Sequence, residues 1–208
     1  MVRRWLAVAA VALVLVPFAW ASSVSSRHGA GPAQTAVACG TERWDVKTLT
    51  DPGSSAVKLK NARSSTVTKL AGMKPLGQSE ARRAQERQVY RVKVIFDSLP
   101  GRKLGFKLET TDSDIHLAVR DALGSTMIVE FPDPGCTVGA RYRSRMKSAR
   151  TALVAACGPP PRSRFRELQG SATITGVLFF DFFHRQRGVA SNVAELHPAL
   201  GFSNATCK

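Results

Sequence analysis

The chain has 208 residues, with 30 Lys or Arg against 15 Asp or Glu and a formal net charge of +15. That length holds one domain with a full hydrophobic core and excludes a string of several. The excess of base draws the chain toward polyanions such as nucleic acid, anionic lipid headgroups or acidic wall polymers, although solvated surface arginine gives the same balance with no anionic partner.

Residues 1–21 read MVRRWLAVAAVALVLVPFAWA. Arg3 and Arg4 form a positive start, Trp5 to Pro17 a short apolar core, and Ala19-Trp20-Ala21 a small-x-small cleavage pattern. This predicts a signal peptide removed before Ser22. The apolar run is short for a spanning helix, which needs about 20 residues. The expected location is secreted or periplasmic. Residues 22–38 are small and polar and predict a disordered tether.

Residues 39–88 form an N-terminal extension. Val57 and Leu59 alternate with Lys58 and Lys60, which predicts a short strand. Ser64-Ser65 before TVTKLAG predicts a capped short helix that stops at Gly72. Residues 73–88 are charged and predict an exposed connector.

From residue 89 the pattern turns to β. VYRVKVIF places Tyr90, Val92, Val94 and Phe96 on one face. KLGFKLET, IHLAVR and TMIVEF follow, separated by turn-rich pieces, and Pro132-Asp133-Pro134-Gly135 ends the last. Val138, Tyr142, Met146, Ala149 and Leu153 then recur at a helical period, and Gly158 with Pro159-Pro160-Pro161 stops that helix. SATITGVLFFDFF predicts a long strand with a bend at Gly176, and AELHPALGF predicts a short last strand. Residues 89–208 therefore predict a mainly β domain. It is a small OB-like β-barrel with one helix between its third and fourth strands. KLGFKLET either adds a sixth strand or extends the first strand beyond a turn. Another small barrel or an α+β sandwich remains the alternative.

Cys39, Cys136, Cys157 and Cys207 are even in number with no C-x-x-C. In an oxidising compartment they predict two disulfides rather than a zinc site. Of three pairings, the one favoured joins Cys136–Cys157 across the predicted helix and Cys39–Cys207 across the termini.

Three stretches hold most of the reactive groups. In Asp112-Ser113-Asp114-Ile115-His116, alternate residues share a face, so Asp112, Asp114 and His116 project together. Asp181 and His184 flank a phenylalanine pair, and Glu195 and His197 share a face opposite Leu196. Such groups run acid–base chemistry or hold a divalent metal, with Asp112, Asp114 and His116 as the metal candidates. An Asp-Ser-Asp turn and structural histidines are the plainer reading. Arg141, Arg143, Arg145 and Lys147 on the helix, with Arg185 and Arg187 in the last loop, are the anion-binding candidates.

The segments CGTERWDVKTLTD, DSDIHLAVRD, TMIVEFPDPGC and GVLFFDFFHRQRGVASNVAELHP resemble a family of uncharacterised exported bacterial proteins. The resemblance implies a bacterial origin and a single secreted domain. It brings no activity and no catalytic residues. Members carry His-Gly-Gln where this chain reads His184-Arg185-Gln186.

No G-x-S-x-G, Walker A, dinucleotide-glycine, H-E-x-x-H or kinase pattern occurs. Three readings remain. The first is a secreted binding module for an anionic polymer, nucleic acid or envelope polyanion. The second is a metal-dependent hydrolase, such as a phosphodiesterase. The third is a structural envelope protein without catalysis.

Overall fold

The computed structural model describes residues 37–75, 85–183 and 185–208. The expected signal peptide, nearly all of the expected tether, the middle of the expected connector and His184 lie outside the described residues.

Seven strands form one sheet. They are β1 (Arg63–Ser65), β2 (Val89–Ile95), β3 (Gly105–Leu108), β4 (Ile115–Arg120), β5 (Thr126–Phe131), β6 (Gly170–Phe180) and β7 (Ala194–Cys207). Among the described residues α1 (Trp44–Lys47), α2 (Val67–Ala71) and α3 (Arg143–Cys157) accompany them. The sheet order is β1-β2-β6-β7-β5-β4-β3, and β2 also pairs with β4. That last pairing closes β2, β6, β7, β5 and β4 into a five-stranded barrel. Helix α3 falls between the third and fourth barrel strands, as expected.

The closing seam is narrow, a single residue pair, Ile95↔Arg120. The free edges beside it are both covered. β1 lies parallel along β2, and β3 lies antiparallel along β4. β3 thus continues the line of β2 along β4 beyond a turn, so KLGFKLET extends the first strand instead of adding a barrel strand.

Period-two alternation fills the barrel. Val92, Val94, Ile115, Leu117, Val119, Met127, Val129, Phe131, Ile174, Leu178, Phe180 and Leu196 are buried in one cluster. The ladder between β6 and β7 shifts register at Gly176, where an added Cβ would lie 2.9 Å from that of Leu196. Here the glycine permits a close approach of two backbones.

Four expectations need correction. Val57–Lys60 is not a strand, because Pro52 starts a 3-10 turn over Pro52–Ala56 and a second follows at Leu59–Asn61. Helix α3 begins at Arg143, so only Met146, Ala149 and Leu153 of the predicted stripe are buried helical positions. Val138 lies outside it, 72% exposed. The last strand is long, 14 residues, because it spans both β5 and β6.

The disulfides also differ. Cys39 pairs with Cys136 and Cys157 with Cys207, not Cys136–Cys157 and Cys39–Cys207. A 15-residue helix is about 22 Å long. Cys136 precedes α3 and Cys157 ends it, so the two stand much farther apart than a disulfide spans. Instead each end of the helix region is fastened to its own neighbour. Among the described residues no cysteine is free, and no helix is long and apolar enough to cross a membrane.

Candidate functional site

The outward faces of β4, β5 and β7 gather the polar groups. Strand register dictates the gathering. His116 sits directly opposite Glu130, while β5 runs parallel to β7 with Ile128 opposite Glu195. Glu130 therefore shares a face with His116 on one side and with Glu195 and His197 on the other.

His116 places Nδ1 2.9 Å from Glu130 Oε1, and its Nε2 is 3.0 Å from the Arg187 carbonyl. His197 hydrogen-bonds Glu195 Oε1 through Nδ1 at 3.1 Å, and its Nε2 lies 3.3 Å from Asp114 Oδ2. Lys47, delivered by α1, sets Nζ 3.1 Å from Asp181 Oδ2. Trp44 meets the His197 ring edge-on at 6.2 Å, and Phe179 lies 6.0 Å from it. Asp114, His116, Glu130, Glu195 and His197 are all buried.

Burial alone would lower both imidazoles, but the carboxylates outweigh it. Asp114 and Glu195 push His197 up to about 10. Glu130, the Arg187 carbonyl and Glu109 push His116 up to about 9. Burial lifts the Glu130 carboxyl to about 7, against the pull of His116. Lys47 is raised too, since Glu195, Asp181 and Glu130 overcome its burial. Burial and the charge of Asp114 raise Asp112.

With pKa values raised to about 9 and about 10, His116 and His197 favour the imidazolium form at neutral pH when no metal is bound, a form that can donate a proton but not accept one. Asp112, Asp114 and His116, the metal candidates, do not converge. Asp112 accepts the backbone N–H of Asp114 at 3.1 Å, Asp114 faces His197, and His116 faces Glu130. Among the described residues no group of three or more His, Cys, Asp or Glu is arranged to hold a metal ion. The cluster is a network of opposed charges around His116 and His197, in which Glu130 Oε2 is buried without a hydrogen-bond partner among the described residues.

Comparison of the chain with protein-family models, with curated proteins and with solved structures finds no match.

Of the three polar stretches read from the sequence, the structure sets Asp114 of the first against His197 of the third, pairs His197 with Glu195, and places Asp181 of the second against Lys47. The sequence reading missed Glu130 and Lys47. Glu130 had a signal, the one charge in the apolar run TMIVEF, at an outward position. Lys47 had none, because its role arises only when α1 folds across the barrel. His184 lies outside the described residues.

The second site is basic and open. Lys58, Leu59, Lys60, Asn61, Arg141, Tyr142 and Arg145 line a groove of about 690 Å³. The 3-10 turns that replace the expected strand place both lysines here. Tyr142 links the two walls. Its hydroxyl accepts from Leu59 N at 3.3 Å and donates to the Val57 carbonyl at 3.2 Å. The Arg141 guanidinium lies 4.9 Å from the Tyr142 ring centre. Tyr142 precedes α3 with φ 64°, no side chain caps the helix, and no acid stands in its first turn. The helix therefore adds its positive end to the same place.

Among the described residues no carboxylate pairs with Lys58, Lys60, Arg141 or Arg145. Arg143 and Lys147 are exposed on the same helix, Arg143 also donating to the Pro134 carbonyl at 3.1 Å. Arg187 is not part of this groove. Its guanidinium lies 4.5 Å from the Phe165 ring centre and donates to the Leu104 carbonyl at 3.4 Å. Arg185 is exposed in the loop between β6 and β7.

Proposed function

We propose that the protein is an exported basic module that holds an anionic polymer in the groove between the Leu59–Asn61 turn and the start of α3. The carrying observation is the groove itself, lined by four cations with no acid among them. Unpaired cations set around an uncapped helix start favour a chain of phosphates or carboxylates. The two closed disulfides support an oxidising compartment outside the cytoplasm.

The order of barrel strands, with a helix after the third, supports an OB-like assignment. Barrels of that class bind ligands on the face of their second and third strands. Here those strands are β4 and β5, and that face is occupied. The loop after β6 lies across it, with the Arg187 carbonyl on His116 and Gly188 against Ala118. This favours the helix groove over the strand face as the binding surface. Among the described residues no group of three or more His, Cys, Asp or Glu is arranged to hold a metal ion, so the cluster lends a metal-dependent hydrolase no geometric support.

The test is a titration of a single-stranded oligonucleotide and of polyglutamate at two salt concentrations. Four phosphate contacts predict an oligonucleotide affinity about 50-fold lower at 200 mM than at 50 mM salt. Polyglutamate is expected to weaken with salt as well. Affinity indifferent to salt, or absent at low salt, contradicts the proposal.

A further inference from the structure

Among the described residues, arginines lie over aromatic rings at Arg43 on Phe179, Arg141 on Tyr142, Arg166 on Phe106 and Arg187 on Phe165. Most of them direct their N–H groups to a protein oxygen. Arg43 holds Glu86, Arg166 the Cys157 carbonyl and Arg187 the Leu104 carbonyl. Arg141 differs. Its guanidinium lies 4.9 Å from the Tyr142 ring centre and meets the Tyr142 hydroxyl at a long 3.5 Å, and its Nε has no partner among the described residues. No carboxylate or carbonyl holds this planar cation.

The ring beneath it is fixed. Tyr142 packs against the buried cluster that includes Leu49, Val57 and Met146. Its hydroxyl bridges Leu59 N and the Val57 carbonyl, and Arg141 N donates to the Leu49 carbonyl at 3.0 Å. Tyr142 also keeps φ at 64°, the only aromatic residue with positive φ among the described residues. A bulky side chain holds that backbone conformation only where its surroundings force it. The guanidinium therefore rests on an immobile ring, at a set place in the groove wall.

A guanidinium laid on a ring has a second face, and that face stacks on another planar group. Bases of single-stranded nucleic acid stack on arginine planes in this way, while nearby cations take the phosphates. Lys58, Lys60 and Arg145 line the same groove as Arg141 and Tyr142, with no acid among the lining residues. Polyglutamate or a base-free phosphate polymer would use these charges and leave the plane empty.

We propose that the groove takes single-stranded nucleic acid, with one base stacked on the outer face of the Arg141 guanidinium and neighbouring phosphates on Lys58, Lys60 and Arg145. This assignment rests on the groove as the polyanion site and narrows its ligand from anionic polymers in general to chains that carry planar bases. Arg141 acts in it through its shape as well as its charge, so lysine is not its equivalent.

The experiment is equilibrium binding of oligodeoxythymidine and of an abasic strand of equal length, at low salt, to the disulfide-intact wild type and to R141K. Both strands carry the same phosphates, so the difference between them reads the bases alone. Wild type is expected to bind the thymidine strand about fivefold or more tightly than the abasic strand. R141K keeps the charge and loses the plane. It is expected to bind the abasic strand as wild type does and to lose most of the preference for thymidine, with a wild-type melting temperature. A strand carrying 2-aminopurine is expected to lose fluorescence on wild type and to keep more of it on R141K, which reads stacking directly. Equal binding of the two strands by wild type overturns the proposal and leaves the groove as a general polyanion site. An undiminished preference in folded R141K overturns it as well. Binding of neither strand removes the groove reading itself, and the stacked base with it.

Discussion

The outer face of β4, β5 and β7 and the start of α3 are both dense in ionisable side chains. The first spends its charges on one another. His197 lies between Asp114 and Glu195, His116 faces Glu130, and Lys47 faces Asp181. At the second, Lys58, Lys60, Arg141 and Arg145 line an open groove with no acid among its lining residues. The difference lies in pairing, not in residue type. Carboxylates beside imidazoles suggest catalysis in a sequence, and here most of them face a group of opposite charge inside a buried network. The basic residues of the second region, Arg141 and Arg145 among the anion-binding candidates of the sequence, have no acid beside them in the groove lining.

The sharpest way to break this contrast is to unpair the buried network. Replacing His197 by Ala strands Asp114 and Glu195 as buried carboxylates without a cation. That should cost about 3–5 kcal/mol of stability, read by denaturant unfolding. A change below about 1 kcal/mol would mean that the network is not structural.

Removing the Cys157–Cys207 bridge with a double Ser substitution should cost about 2–4 kcal/mol. The sequence separation it closes is 50 residues, and it ties the end of α3 to the end of β7. The melting temperature of the oxidised variant checks this, and an unchanged melting point would argue for a different pairing.

Stability should also fall as pH rises. His197 and His116 hold protons in the folded state up to about pH 10 and 9, whereas unfolded histidine releases them near 6.5. Their contribution is therefore complete below pH 6.5 and is lost progressively up to pH 9–10. Glu130 acts in the same sense at lower pH. Its folded form keeps a proton up to about 7 while the unfolded form loses it near 4.5, so stability declines across that window. Melting temperatures measured from pH 5 to pH 10 should descend, and a rise above pH 7 would contradict the assignment.

The smallest effect sharpens the picture. Glu130→Gln removes the largest single group that raises His116. The His116 titration, followed by NMR, should move down from about 9, while His197 changes less.

Much of the barrel was legible because alternation survives folding. Ile115, Leu117 and Val119 face the core as their spacing demands, and Asp114 and His116 face away. The helix boundary was not legible. Tyr142 and Val138 continue the periodic stripe, but Gly139 and Tyr142 take positive φ and hold the chain out of the helix. The lysines of Val57–Lys60 alternate like a strand, yet Pro52 and the following turns override that local pattern. Each polar stretch was legible as a shared face, but the approach of His197 to Asp114 was not. That they meet behind Trp44 and Phe179, closed to solvent, depends on how α1 crosses the barrel, and four residues of helix leave little trace in a sequence.

The most direct test puts both regions into one experiment: oligonucleotide binding against salt for wild type, K60E/R145E and E130Q, each verified as folded by its melting curve. The expected result is a steep salt slope for wild type and for E130Q, with the affinity of K60E/R145E reduced by at least about tenfold and its slope flattened. Equal binding by K60E/R145E and wild type, or loss of binding in folded E130Q alone, would place the binding surface on the buried network's face and contradict the account.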